Sequence, residues 1–132
     1  MSDDTKATIL IIENDEDTRH IYADILAYTG AYLLEAGNPY EAFDYLGTHS
    51  ISLILTDLHM PGGGLQYITT LRAKEPSCPI VAITGLVGDE IRQAALTAGA
   101  TAFLEKPLRA KQLRDIVDRV LALLLAASFP IH

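Results

Sequence analysis

Five short apolar runs punctuate the chain: Thr8 to Ile12, Ala31 to Glu35, Ile51 to Thr56, Pro79 to Thr84 and Thr101 to Leu104. Each is short and rich in β-branched or large aliphatic residues, the signature of strands buried on both faces. The stretches between them carry apolar residues at helical spacing. From Asp15 to Thr29 the positions Ile21, Ile25, Leu26 and Tyr28 predict a helix with a core-facing stripe, left at Gly30. Asn38-Pro39-Tyr40-Glu41 predicts a helix start: an Asn cap, Pro at the first helical position and Glu at the third. That helix turns Ala42, Tyr45 and Leu46 inward and stops at Gly47. A third helix, from about Leu65 to Ala73, carries Leu65, Ile68 and Leu71. A fourth is capped by Asp89, holds Ile91, Ala94, Ala95 and Leu96, and ends at Gly99. The last runs from Leu108 to Ala127 with Leu113, Ile116, Val117 and Val120 on its inner face.

Five strands alternating with five helices imply right-handed βαβ crossovers and a parallel sheet covered on both sides. The expected fold is α/β: a flavodoxin-like, doubly wound (βα)5 three-layer sandwich with strand order 2-1-3-4-5. That order sets strands 1 and 3 side by side at the switch point, where open α/β sheets bind their ligands. The domain is expected over residues 8–127, with a disordered tail at 1–7 and a short tail at 128–132.

Composition narrows the function. The chain has 132 residues, 49% of them apolar and 20% charged, which suits one domain with a substantial core. A formal charge of −7 argues against a nucleic-acid partner, which needs a basic surface. The longest apolar stretch, Val120 to Ala127, is too short to span a bilayer, and the acidic start Met1-Ser2-Asp3-Asp4 is unlike a signal peptide, so a cytoplasmic setting is expected. The single Cys78 excludes an internal disulfide and the Cys-pair motifs.

The chemistry gathers at strand ends. Asp57 closes the third apolar run just before Leu58-His59-Met60-Pro61-Gly62-Gly63-Gly64, and Glu13-Asn14-Asp15-Glu16-Asp17 follows the first. Asp15, Glu16 and Asp17 are explained as a cap and first helical turn. Glu13 and Asn14, at the strand end itself, point with Asp57 to a shallow oxygen-donor rim suited to a hard cation that keeps its waters. Thr84 and Lys106, from strands 4 and 5, could meet a bound anion. His20, His49 and His132 show no ligand spacing.

Four segments in order resemble the receiver domain of two-component response regulators, over essentially all of residues 8–127. They are Ile-Leu-Ile-Ile-Glu-Asn-Asp-Glu-Asp (9–17), Leu-Thr-Asp-Leu-His-Met-Pro-Gly (55–62), Ile-Thr-Gly (83–85) and Ala-Gly-Ala-Thr-Ala-Phe-Leu-Glu-Lys-Pro (98–107). The resemblance implies that Asp57 accepts a phosphoryl group from a sensor histidine kinase or a histidine phosphotransfer protein. It implies Mg2+ held by Glu13, Asn14, Asp57 and the carbonyl of His59. Lys106, Thr84 and Gly85 would contact the phosphoryl group, Thr84 and Phe103 would switch, and the Lys106–Pro107 bond would be cis. Such a domain is no enzyme beyond catalysing its own Mg-dependent phosphorylation and dephosphorylation, and it signals to a downstream protein target.

Three departures stand out. The second acidic position is Asn14, which keeps an oxygen donor but loses a charge, so Mg2+ affinity is expected to be weakened. The Gly62-Gly63-Gly64 loop is one residue shorter than the usual pattern, and its glycines make it flexible. The aromatic at the switch position is Phe103, which has no hydroxyl. The first two motivate an alternative, a pseudo-receiver acting as a phosphorylation-independent interaction module. A flavin protein on the same fold is disfavoured because Glu13-Asn14-Asp15 would repel a flavin phosphate. The apolar end of the last helix suggests a covered face, for which a homodimer through helices 4 and 5 is one expectation.

Overall fold

The computed structural model describes residues 6–86 and 88–128. The strands are β1 (Thr8–Ile12), β2 (Tyr32–Ala36), β3 (Leu53–Asp57), β4 (Ile80–Thr84) and β5 (Ala102–Glu105). The helices are α1 (Glu16–Leu26), α2 (Pro39–Thr48), α3 (Leu65–Lys74), α4 (Asp89–Ala98) and α5 (Ala110–Ser128), with a 3-10 turn over Ala27–Thr29. All strand pairs are parallel and the sheet order is β2-β1-β3-β4-β5, as the alternation of patterns predicts. Most of the tail expected at 1–7, residues 129–132 and the side chains of the apolar end of α5 beyond Leu123 lie outside the described residues.

Strand periodicity divides the core. Ile9, Ile11, Leu53, Leu55, Val81 and Ile83 point to one side, against Tyr22 and Leu26 of α1 and Leu113, Val117 and Val120 of α5. Leu10, Ile12, Ile54 and Ile80 point to the other, against Ala42 of α2 and Tyr67 and Leu71 of α3. Further along that second side, Ala82 and Phe103 pack with Ile68 and Ala95. Because β3 and β4 are buried throughout, neither shows the alternation of a half-exposed strand.

Local chemistry starts and stops the helices. Asp15 caps α1 by accepting from the Thr18 N–H at 2.9 Å, and Asn38 caps α2 by accepting from the Glu41 N–H at 2.8 Å, with Pro39 at the first helical position. Three expectations are corrected. The buried stripe of α1 is Tyr22 and Leu26; Ile21 is 55% exposed and Tyr28 50% exposed. Tyr28 lies past the end of the α-helix at Leu26, in the tighter 3-10 turn, where its hydroxyl donates to Asp118 Oδ1 at 2.6 Å. Helix α2 runs through Gly47 to Thr48. Helix α4 is preceded by Gly88 at φ +125°, and Asp89 is its first helical residue rather than its cap.

Candidate functional site

Register brings the chemistry together. Ile12 of β1 lies beside Thr56 of β3, so the next residues along each strand, Glu13 and Asp57, emerge on one rim. Ile83 pairs with Asp57, and Thr84 pairs with Glu105, which puts Lys106 one step further along the same rim. Backbone hydrogen bonds extend the ladder past the strands: Glu13 N–H to Ala36 O at 3.0 Å, Leu58 N–H to Ile83 O at 2.8 Å and Lys106 N–H to Thr84 O at 2.7 Å. The candidate side chains therefore stand on a hydrogen-bonded frame, not on free loops.

Three polar residues of this rim are almost wholly enclosed: Asp57 at 1%, Thr84 at 1% and Glu13 at 3% exposure. Asp57 Oδ1 accepts the His59 backbone N–H at 2.6 Å, and Oδ2 forms an ion pair with Lys106 Nζ. That second oxygen has no aligned hydrogen bond of its own, and Glu13 Oε2 is buried with no hydrogen-bond partner at all. Leaving a carboxylate oxygen unpartnered is costly and calls for a ligand or a proton. Burial raises the Glu13 carboxyl from 4.5 to about 7; the neighbouring Asp57 carboxylate adds to the rise and the Lys106 charge partly offsets it.

The other expected residues take less enclosed places. Asn14, His59 and Gly85 are exposed at the rim. Asp15, next along the chain from Asn14, serves as the cap of α1, its Oδ2 engaged by both the N–H and the hydroxyl of Thr18. The Thr84 hydroxyl accepts the Leu86 N–H at 3.1 Å, and Phe103 is turned into the core at 7% exposure. The Lys106–Pro107 peptide is cis. In the short loop after Asp57, Gly62 and Gly64 adopt φ of +78° and +95°, so its glycines are required by the turn that leads into α3. A cavity of about 170 Å3 opens beside Thr84, lined by Leu58, His59, Leu65, Leu86 and Ile91 among others.

The donor set fits a hard divalent cation. The fit rests on the unpartnered Glu13 oxygen, the adjacent Asp57 carboxylate, and the amide and carbonyl oxygens available at Asn14 and His59. No group of three or more His, Cys, Asp or Glu side chains that could hold a metal occurs among the described residues. Any cation here would thus keep several waters, as Mg2+ does. Sequence reasoning passed over Arg19, whose Nη1 donates to the Glu13 carbonyl at 2.9 Å. Nothing in helical spacing signals that contact.

Comparison with known proteins agrees with this fold. The family profile described as the response regulator receiver domain matches residues 9–118. The chain belongs to that family. It is 41% identical over 110 residues to the cyclic di-GMP phosphodiesterase response regulator RpfG of Xanthomonas campestris, covering 80% of this chain and 28% of that protein. It is 32% identical over 114 residues to an uncharacterised 14.6 kDa protein of Leptolyngbya boryana, covering 84% of this chain and 87% of that one. Among solved structures, a two-component response regulator from Clostridium difficile superposes with a TM-score of 0.83 at 27% identity, covering 89% of this chain and 97% of that one. The chain spans 24–29% of the length of several curated relatives it matches.

Proposed function

We propose that this receiver domain accepts a phosphoryl group on Asp57 from a sensor histidine kinase or a histidine phosphotransfer protein and passes the signal on through protein contacts. The observation that carries the reading is the state of the Asp57 carboxylate. It is buried, anchored through one oxygen by the His59 N–H and faced at the other by Lys106, beside a Glu13 oxygen that lacks a partner. That is a fixed nucleophile in a charge-balanced pocket.

In this reading an Asp57 oxygen attacks the donor's phosphorus. The bond from phosphorus to the donor breaks, the donor leaves with the electron pair, and an acyl phosphate remains on Asp57. Lys106 neutralises charge on the phosphoryl oxygens, and the exposed backbone of Gly85 is within the same rim. Mg2+, held by Glu13, Asn14, Asp57 and the His59 carbonyl, would supply further neutralisation of the phosphoryl charge. Its affinity is reduced by the neutral Asn14. The Thr84 hydroxyl exchanges the Leu86 N–H for the phosphoryl group, and Phe103 responds behind it. The surface of α4, β5 and α5 then reports the change to a downstream protein target, or to a second copy of this chain.

No other reaction is assigned to the domain, and its acidic surface disfavours nucleic acid as a partner. No helix among the described residues is long and apolar enough to cross a membrane. We place the domain in the cytoplasm with its phosphoryl donor.

The test is intact mass after incubation with acetyl phosphate, with and without Mg2+, beside an Asp57→Asn control. The expected result is a single phosphoryl adduct that needs Mg2+ and is absent in the variant. No adduct, together with no response to Mg2+ plus beryllofluoride, would refute phosphorylation and leave a phosphorylation-independent module.

A further inference from the structure

Arg19 lies outside the acidic rim, yet it is tied to it by an uncommon set of contacts. Its side chain is 15% exposed and reaches from the second turn of α1 to the ends of β1 and β2. Nη1 donates to the Glu13 carbonyl at 2.9 Å and Nε donates to Glu35 Oε1 at 3.3 Å. Glu35 is itself held by His20 Nδ1 at 2.7 Å. The guanidinium fills a notch over Gly37, where a Cβ would sit 3.1 Å from Nη1. On its other side the Glu13 backbone donates to Ala36 O at 3.0 Å. Both polar groups of the Glu13 main chain are thereby tied to the end of β2, one directly and one through Arg19 and Glu35.

The Glu13 carbonyl belongs to the same planar peptide unit as the Asn14 N–H. Fixing that carbonyl fixes the plane from which Asn14 departs. We propose that Arg19 is a positioning residue for the cation rim: it sets the Glu13–Asn14 peptide so that both residues can serve one metal ion. This rests on the functional reading above and extends it to a residue that touches neither metal nor phosphoryl group. The need is greater here because Asn14 offers an oxygen without a charge, so affinity leans on orientation. Groups that orient ligands in this way typically change metal affinity by about 10–100-fold when removed.

The alternative role for Arg19 is purely electrostatic, and it has the opposite sign. A guanidinium near a cation site repels the cation, so removing it would tighten Mg2+ binding. Positioning requires that removal weaken it.

The experiment measures the Mg2+ dissociation constant by calorimetry for wild type, Arg19→Ala, Arg19→Lys and Glu35→Gln, with melting in EDTA recorded for each. The 15N resonance of the Asn14 amide in metal-free protein reports directly on the hydrogen bond to the Glu13 carbonyl. The expected result is a dissociation constant raised about tenfold in Arg19→Ala, with smaller rises in Arg19→Lys and Glu35→Gln. The Asn14 amide shifts without any metal present, and the phosphorylation rate at saturating Mg2+ stays within about twofold of wild type. A merely structural loss would lower the saturated rate as well, which overturns the proposal. Should Arg19→Ala not fold, Glu35→Gln carries the test alone: an unchanged constant overturns it. Unchanged or tighter binding in Arg19→Ala overturns positioning and leaves the receiver reading intact. Absence of Mg2+ binding in the wild type removes both.

Discussion

Replacing Glu13 by Gln should make the metal-free protein more stable, although it removes a residue from the site. Glu13 is 3% exposed and its carboxyl is lifted from 4.5 to about 7, first by burial and then by the Asp57 carboxylate. Each tenfold change in proton affinity is about 1.36 kcal/mol, so the folded protein carries a penalty of about 3 kcal/mol once Glu13 is ionised. The direction follows from proton counting. Between pH 4.5 and 7 the folded state holds a proton that the unfolded state has released, so stability falls as pH rises through that window. Gln has nearly the same shape and does not titrate. Urea unfolding in EDTA should therefore give Glu13→Gln an advantage of roughly 1–3 kcal/mol at pH 8, shrinking by about 2 kcal/mol toward pH 5. Adding Mg2+ should narrow this advantage, since the carboxylate of the wild type binds the cation more tightly in the folded state than an amide does. Equal stabilities across the pH range, or an advantage that does not grow with pH, would refute the claim that Glu13 is a strained acid awaiting a cation.

Asn14→Asp should restore the missing charge at the exposed rim. A fraction of the ~4 kcal/mol expected for a unit charge at 4 Å gives roughly tenfold tighter Mg2+ binding by calorimetry. Arg72 donates to the carbonyls of Gly99 at 2.8 Å, Glu75 at 3.0 Å and Cys78 at 2.6 Å, joining the end of α3 to the turn before β5. Arg72→Ala strands these acceptors and should cost about 3 kcal/mol in urea unfolding, with Mg2+ affinity unchanged because the cluster lies at the opposite end of the strands. Phe103→Ala opens a hole among Ile68, Ala82, Ala95 and Ala100 and should cost about 3 kcal/mol by the same assay. Loss of less than about 1 kcal/mol would mean that Phe103 is not packed as described.

The sequence alone determined the element order and the fold class, and it nominated the residues proposed for the site. Those features are written locally. Short aliphatic runs mark strands buried on both faces, Asn38 and Pro39 start a helix from their own side chains and ring, and Asp57, Glu13 and Lys106 sit at strand ends wherever the strands lie. Only the tertiary structure decided the rest. In the chain Ile21 looks as apt for a core stripe as Ile25 and Leu26, yet packing buries Tyr22 and Leu26, seats Ile25 against them and leaves Ile21 exposed. The pairing of Ile12 with Thr56 brings Glu13 beside Asp57, and that approach, with burial, raises the Glu13 carboxyl. Arg19 and Arg72 look like surface charges in the chain, yet each closes onto backbone carbonyls of other segments. Register, burial and long side-chain reach are relations between residues far apart in sequence, and no local pattern encodes them.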